Sequence, residues 1–205
     1  MKSLLKAARR FIRPAGRRVR VILYRLRGVR MGEGTRFQRP YTLVCPDPES
    51  LIIGKETAIY PDAYISLIKE WAGFKYTPQI KIGDGVYIGR HAYFAALDSI
   101  IIENGCVLSE YVYITDHAHG LHPEHGPIMK QQLESKGPVH IGRNCFLGFR
   151  VSIMPGVILG DHCIVGANSV VSRSFPAYSM IAGCPAKVVK VYSQKTGTWM
   201  LNDMK

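Results

Sequence analysis

The sequence lacks several things that would have named a class at once. No apolar stretch approaches the ~20 residues that span a bilayer. Arginines interrupt every apolar run near the start, so no secretory leader is expected and a cytoplasmic protein is. The five cysteines, Cys45, Cys106, Cys145, Cys163 and Cys184, form no CxxC pair and make an odd count, which argues against a disulfide framework and a zinc site. Residues 1–30 contain no acid at all, against eleven lysines and arginines. The remaining 175 residues hold 16 basic and 15 acidic side chains, so nearly the whole net charge of +12 belongs to this first segment. The basic pI of the chain therefore says little about its body.

What the sequence has is a period. From residue 141 onward an aliphatic residue recurs at every sixth position: Ile141, Leu147, Ile153, Leu159, Val165 and Val171. Gly follows at 142, 148, 160 and 166, and a small or β-branched residue comes four places after each aliphatic (Cys145, Val151, Val157, Cys163, Ser169) until Phe175 ends the series. Ile82, Ile88, Phe94 and Ile100 keep the same period. Ile102, Leu108 and Ile114 resume it after a two-residue slip, and Ile53, Ile59 and Ile65 form a shorter first run. A helix repeats every 3.6 residues and a strand every 2, so neither accounts for six. Short repeats of this kind belong to β-helices, whose coils bury their apolar faces only by stacking. Cys106, Cys145 and Cys163 fall on the small inward position and read as packing residues.

Two stretches break the period: residues 66–79, with Trp71, Phe74 and Tyr76, and residues 115–140, which hold most of the histidine. Long loops leaving a rigid repeat commonly carry function. The expected organisation is a basic arm over 1–45, helical; a β-helix over 46–190 with an active-site loop at 115–140; and a short C-terminal extension over 191–205.

Three stretches, YITDHAHG (113–120), PVHIGRNCFLGFRVSIMPGVILGDHCIVGANSVVSRSFP (138–176) and IAGCPAKVVKVY (181–192), resemble the hexapeptide-repeat acyltransferases. The resemblance is strongest to bacterial O-antigen and capsule polysaccharide O-acetyltransferases. It implies an all-β, left-handed parallel β-helix, a homotrimer with active sites between subunits, acetyl-CoA as acyl donor, a carbohydrate acceptor and no metal. His117 matches the family's catalytic histidine, and as a neutral imidazole suits the removal of a hydroxyl proton, a task worth ~10²–10⁴ in rate. Asp116 and His119 are candidate orienters or substrate contacts, and ordinary turn residues otherwise. For acetyl-CoA the resemblance points to Gly148, Ala167 and Ser172, with Arg173, Lys187 and Lys190 near the phosphates. Phe146, Phe149 and Cys184 depart from common family choices. The acceptor-holding asparagine of galactoside acetyltransferases is not evident at Tyr93–Leu97, which disfavours a small galactoside.

The expected reaction is transfer of acetyl from acetyl-CoA to a sugar hydroxyl of a surface polysaccharide or its lipid-linked precursor. N-acetylation of an amino sugar, nucleotide-linked or not, is the alternative, and a non-catalytic β-helix scaffold the alternative of another class. A γ-class carbonic anhydrase needs V-G-H-x-x-x-x-H, and Phe149 and Met154 fill both histidine positions. The basic segment interleaves arginines with Leu4, Leu5, Phe11, Ile12, Val19, Ile22, Leu23 and Leu26, the pattern of a membrane-surface segment. A solvated or packed arm and nucleic-acid binding compete with that reading, although nothing else here resembles a nucleic-acid module.

Overall fold

The computed structural model describes residues 28–201. The six-residue period becomes a parallel β-helix of six coils, each contributing one short strand to each of three parallel sheets. In the first sheet Met31, Ile53, Ile82, Ile102, Ile141 and Leu159 stand in register. In the second the column is Phe37, Ile59, Ile88, Leu108, Leu147, Val165 and Ile181. Leu43, Ile65, Phe94, Ile114, Ile153 and Val171 form the third. These columns are the core: almost every member is buried, and each strand's neighbours point outward.

The corners follow the same period. Three residues after an inward aliphatic the backbone turns through positive φ, at Asn144, Arg150, Gly156, His162 and Asn168 in the longest run. That conformation is open to glycine and asparagine but disfavoured for most L-residues. Arg150 and His162 adopt it because stacking on both sides fixes the corner.

Two expectations about boundaries are corrected. The arm was expected to extend to residue 45, yet strands Arg30–Met31, Arg36–Phe37 and Tyr41–Val44 already form the first coil. Met31, Phe37 and Leu43 carry the six-residue period there, hidden by the arginines around them, and Met31 and Phe37 are core residues. The helix expected for the arm lies, over residues 1–27, outside the described residues, and where the arm is described it is strand. The boundary expected at 190 falls inside the strand Ala186–Ser193, which pairs antiparallel with Ser179–Gly183 and Thr198–Leu201 and extends the second sheet past the last coil. Among the described residues the only helical segments are three single turns, and no helix is long and apolar enough to cross a membrane.

Both interruptions are ordered. The first is a hairpin, Glu70–Trp71 with Phe74–Lys75, turned by Ala72 and Gly73, both at positive φ as a tight two-residue hairpin requires. The second is a ribbon of His117–His119 with Leu133–Ser135. Tyr76 ties them together: its Oη accepts the Leu133 N–H at 3.0 Å and lies 3.4 Å from the Leu133 carbonyl oxygen. Ser66, Ala95 and Thr115 alternate with inward residues of the third sheet but are buried, because both excursions leave from and cover that edge.

Candidate active site

The fourth coil ends its third strand, Tyr113–Thr115, and the next two residues form a buried pair. Asp116 is fully buried at 0% exposure, and the His117 side chain is only 12% exposed. A buried carboxylate needs partners. Asp116 has them: its Oδ1 accepts the Leu97 N–H and its Oδ2 the Asp98 N–H, each at 2.8 Å. Both amides belong to the turn of the preceding coil, so the stacking of coils builds the carboxylate's seat. Asp116 Oδ1 also lies 3.0 Å from His117 Nδ1.

That contact decides the imidazole's tautomer. A carboxylate accepts and does not donate, so the proton sits on Nδ1 and the lone pair on Nε2. Thr115 Oγ1, 3.1 Å from Nδ1, and its bond to the His117 carbonyl at 3.3 Å hold the ring's base in place. The arrangement is a histidine oriented by a buried acid with its free nitrogen available to take a proton.

Asp116 is thus a buried residue in contact with the His117 ring and not a surface turn residue. His119 is not joined to that pair. It pairs with Leu133 along the ribbon, its ring meets Trp71 edge-on at 5.2 Å, and its Nδ1 is buried without a partner. The sequence reading missed Thr115, the Leu97 and Asp98 amides and Tyr76. The amides carry no side-chain signal, whereas the aromatic residues of 66–79 were a visible one.

The residues expected to hold acetyl-CoA divide between two edges of the third sheet. Gly148 and Ala167 lie at the corner where the second sheet turns into the third. A Cβ on Gly148 would come within 2.8 Å of the Ala167 amide nitrogen, so this corner is bare and closely stacked. Ser172 and Arg173 follow Val170–Val171, whose row Tyr113, Ser152, Val170 continues in register from the strand before His117. They therefore lie at the far corner, two coils from His117 along the same edge. Lys187 and Lys190 face Ala182 and Met180, residues on one side of their strand, because a bulge between them corrects the parity. Exposed Arg173 and Lys187, with half-buried Lys190, are cations fit for phosphate, and the bare corner suits a thin chain passing close to the backbone. The chemistry of these side chains fits acetyl-CoA. No single edge of one chain gathers all six. Among the described residues no cluster of three or more His, Cys, Asp or Glu could hold a metal ion.

Residues 79–116 and 138–173 match the family model described as the hexapeptide repeat of succinyl-transferase. Over these residues the chain carries the hexapeptide repeat. Its relatives include the putative lipopolysaccharide biosynthesis O-acetyl transferase WbbJ of Escherichia coli (strain K12), 36% identical over 127 residues, 58% of this chain and 64% of that protein. A putative acetyltransferase of Staphylococcus aureus (strain COL) is 31% identical over 60% of this chain and 61% of its own length. The matched stretch spans less than two thirds of these relatives. Among solved structures, AntD, an N-acyltransferase from Bacillus cereus in complex with dTDP and 3-hydroxybutyryl-CoA, superposes with a TM-score of 0.68 at 18% identity, covering 84% of this hexapeptide-repeat chain and 88% of AntD. A maltose O-acetyltransferase from Clostridium difficile 630 gives 0.52 at 20% identity, over 80% and 68% of the two chains. At these identities the structures establish the fold of the hexapeptide-repeat chain and nothing finer.

Proposed function

We propose that this protein is an O-acetyltransferase, moving acetyl from acetyl-CoA to a hydroxyl of a bacterial surface polysaccharide or its lipid-linked precursor. The observation that carries the reading is His117, with Nδ1 on buried Asp116 and Nε2 left free. Acetyl-CoA supplies a thioester already activated for acyl transfer, so the chain needs no nucleophile of its own and its buried cysteines stay outside the chemistry. His117 Nε2 takes the acceptor hydroxyl's proton as the oxygen attacks, and returns it to the departing sulfur. Asp116 keeps the ring in its tautomer and stabilises the imidazolium between the two transfers. The sequence relationship to an O-acetyl transferase favours oxygen over nitrogen as acceptor.

The working form in this proposal is a homotrimer with its coil wound left-handed. The outward row of the second sheet supports an assembly: Ala58, Tyr87, Val107, Phe146, Ile164 and Met180 stand in register, and Tyr87, Val107 and Phe146 are exposed. The two-edge split of the acetyl-CoA residues supports it as well, because a donor lying between two chains can use both corners. The basic segment is proposed to hold the trimer against anionic lipid, and Ser172, Arg173, Lys187 and Lys190 to hold the donor.

His117→Ala should lower turnover by ~10²–10⁴ while acetyl-CoA affinity stays within a few-fold, read by steady-state kinetics and calorimetry. His122→Ala, whose ring stacks on His125 out on the loop, serves as the control. Full turnover in His117→Ala would remove the general-base mechanism.

A further inference from the structure

Two cavities lie side by side along the edge where the third sheet turns into the first. One, of about 610 Å³, is bounded by Lys75, Tyr76 and Thr77 of the first excursion, Leu97 and Asp98, and Gln132–Ser135 of the ribbon. The other, of about 500 Å³, runs on past Gln79 and Ser99 to Ser50, Asp47 and Arg30. Thr77 and Asp98 line both, so the two adjoin as halves of one open trough.

His117 does not itself line the trough, but residues beside it do. Ser135 is the register partner of His117 in the ribbon, and directly opposed residues project their side chains from one face. Leu97 and Asp98, which form the floor, are the residues whose amides seat Asp116. From the fourth coil the trough passes to the first, three strand spacings or on the order of 15 Å. Arg173 lies on the same edge in the opposite direction, toward the sixth coil. A donor and an acceptor would thus approach His117 from opposite sides along one line.

Its lining selects a chemistry. Lys75, Lys69 and Arg30 alternate with Asp98, Glu134, Asp47 and Glu49, and Lys69 is itself 3.5 Å from Asp47. Mixed signs with a slight acidic excess give a pyrophosphate no concentrated positive charge. The Tyr76 hydroxyl is already engaged with Leu133, and the remaining polar side chains are carboxylates, amides, hydroxyls, ammonium groups and the Arg30 guanidinium, all of which pair with hydroxyls. Each half is open to solvent and falls in the size range of small-molecule sites.

We infer that this trough is an extended acceptor site for an oligosaccharide of several sugars, its target hydroxyl at His117 and its remaining sugars along the far half toward Arg30. The inference rests on the acyltransferase reading above and adds to it a length requirement and a distal subsite. Nucleotide sugars and monosaccharides are poor ligands for it.

The test is binding of the full chain, without acetyl-CoA, to an array of bacterial surface glycans one to six sugars long, with UDP- and dTDP-sugars alongside. Retention of glycans of three or more sugars, at least tenfold above single sugars and nucleotide sugars, is the expected result. Ser50→Tyr, which fills the far half, should cut that retention at least tenfold, and Gln79→Ala, a milder change should the first fail to fold, at least threefold. Retention of nucleotide sugars or single sugars alone, of no glycan, or of long glycans undiminished in a folded variant would overturn the inference. Acetyl-CoA binding is measured separately by calorimetry. Its absence would sink the acyltransferase reading while length-dependent glycan retention would still uphold the trough.

Discussion

Asp116 holds two backbone N–H groups and one imidazole, and substitution there affects both tasks at once. Asp116→Asn keeps the shape but turns one acceptor into a donor facing an amide N–H. It should lower stability by ~1–3 kcal/mol and turnover by at least ~10-fold, visible as a lower melting temperature together with a lower kcat. His117→Ala, by contrast, should lower kcat with little change in melting, because no buried donor is stranded. The cysteines show residue-scale physics of another kind. Cys106, Cys145 and Cys163 donate to the carbonyls of Gly142, Gly160 and Pro176 at 3.0–3.2 Å, the role that Thr57 plays toward Gly83 two coils before Cys106. They are packing residues, as their place in the repeat suggests, and also donors that satisfy corner carbonyls buried inside the coil. The neighbouring thiols and burial push the Cys145 thiol well above its ordinary range, whereas hydrogen bonding to Cys145 draws the Cys106 and Cys163 thiols below theirs.

At the scale of elements, the hairpin at Glu70–Lys75 and the ribbon at His117–Ser135 depend on each other. Tyr76 is their main polar tie, engaging the backbone of a residue 57 positions away. Tyr76→Phe removes that tie and leaves the Leu133 amide without its acceptor, a local loss of ~1–3 kcal/mol. Hydrogen exchange over residues 117–135 should speed up while the coil amides keep their protection, and turnover should fall because the ribbon carries His117. Unchanged exchange would mean that the ribbon holds itself. The excursion at 115–140 was legible in sequence as a break in the period. Its partnership with 66–79 was not, since neither stretch carries a pattern that names the other.

For the whole molecule, the apolar row on the second sheet and the charge of the first segment make separate predictions. Phe146→Asp places a charge in the middle of that row, outside the core columns. It should leave each chain folded and dissociate the assembly, shown by sedimentation as a shift from three chains to one with unchanged far-UV circular dichroism; a trimer that persists would place the interface elsewhere. Deleting residues 1–27, and not 1–30, spares Val29, which belongs to the core. The deletion removes ten basic side chains and leaves the remainder near neutral at +2. Binding to anionic vesicles should be lost, and in the intact chain it should weaken with salt as the Debye length shrinks from ~10 Å at 0.1 M to ~3 Å at 1 M. Salt-independent binding, or binding by the shortened chain, would defeat the membrane reading.

The sequence alone determined the coil, because a six-residue apolar period has one economical solution: every sixth side chain inward, with neighbouring coils stacked to bury it. It determined the cysteine positions and singled out the histidine at the break for the same reason, since a strict frame makes any departure visible. The first coil stayed hidden where Met31, Phe37 and Leu43 sit among arginines and a short run falls below the threshold at which a period is convincing. What only the tertiary structure decided are relations between coils. Two backbone amides of one coil seat the carboxylate of the next, a bulge brings Lys187 and Lys190 to one side, and the two excursions enclose a trough. The six candidate donor contacts fall on two edges. Apart from the bulge, which belongs to a local hairpin, these depend on which residues stack across one or more coils, and stacking couples positions about twenty to forty residues apart that no local pattern in the chain connects.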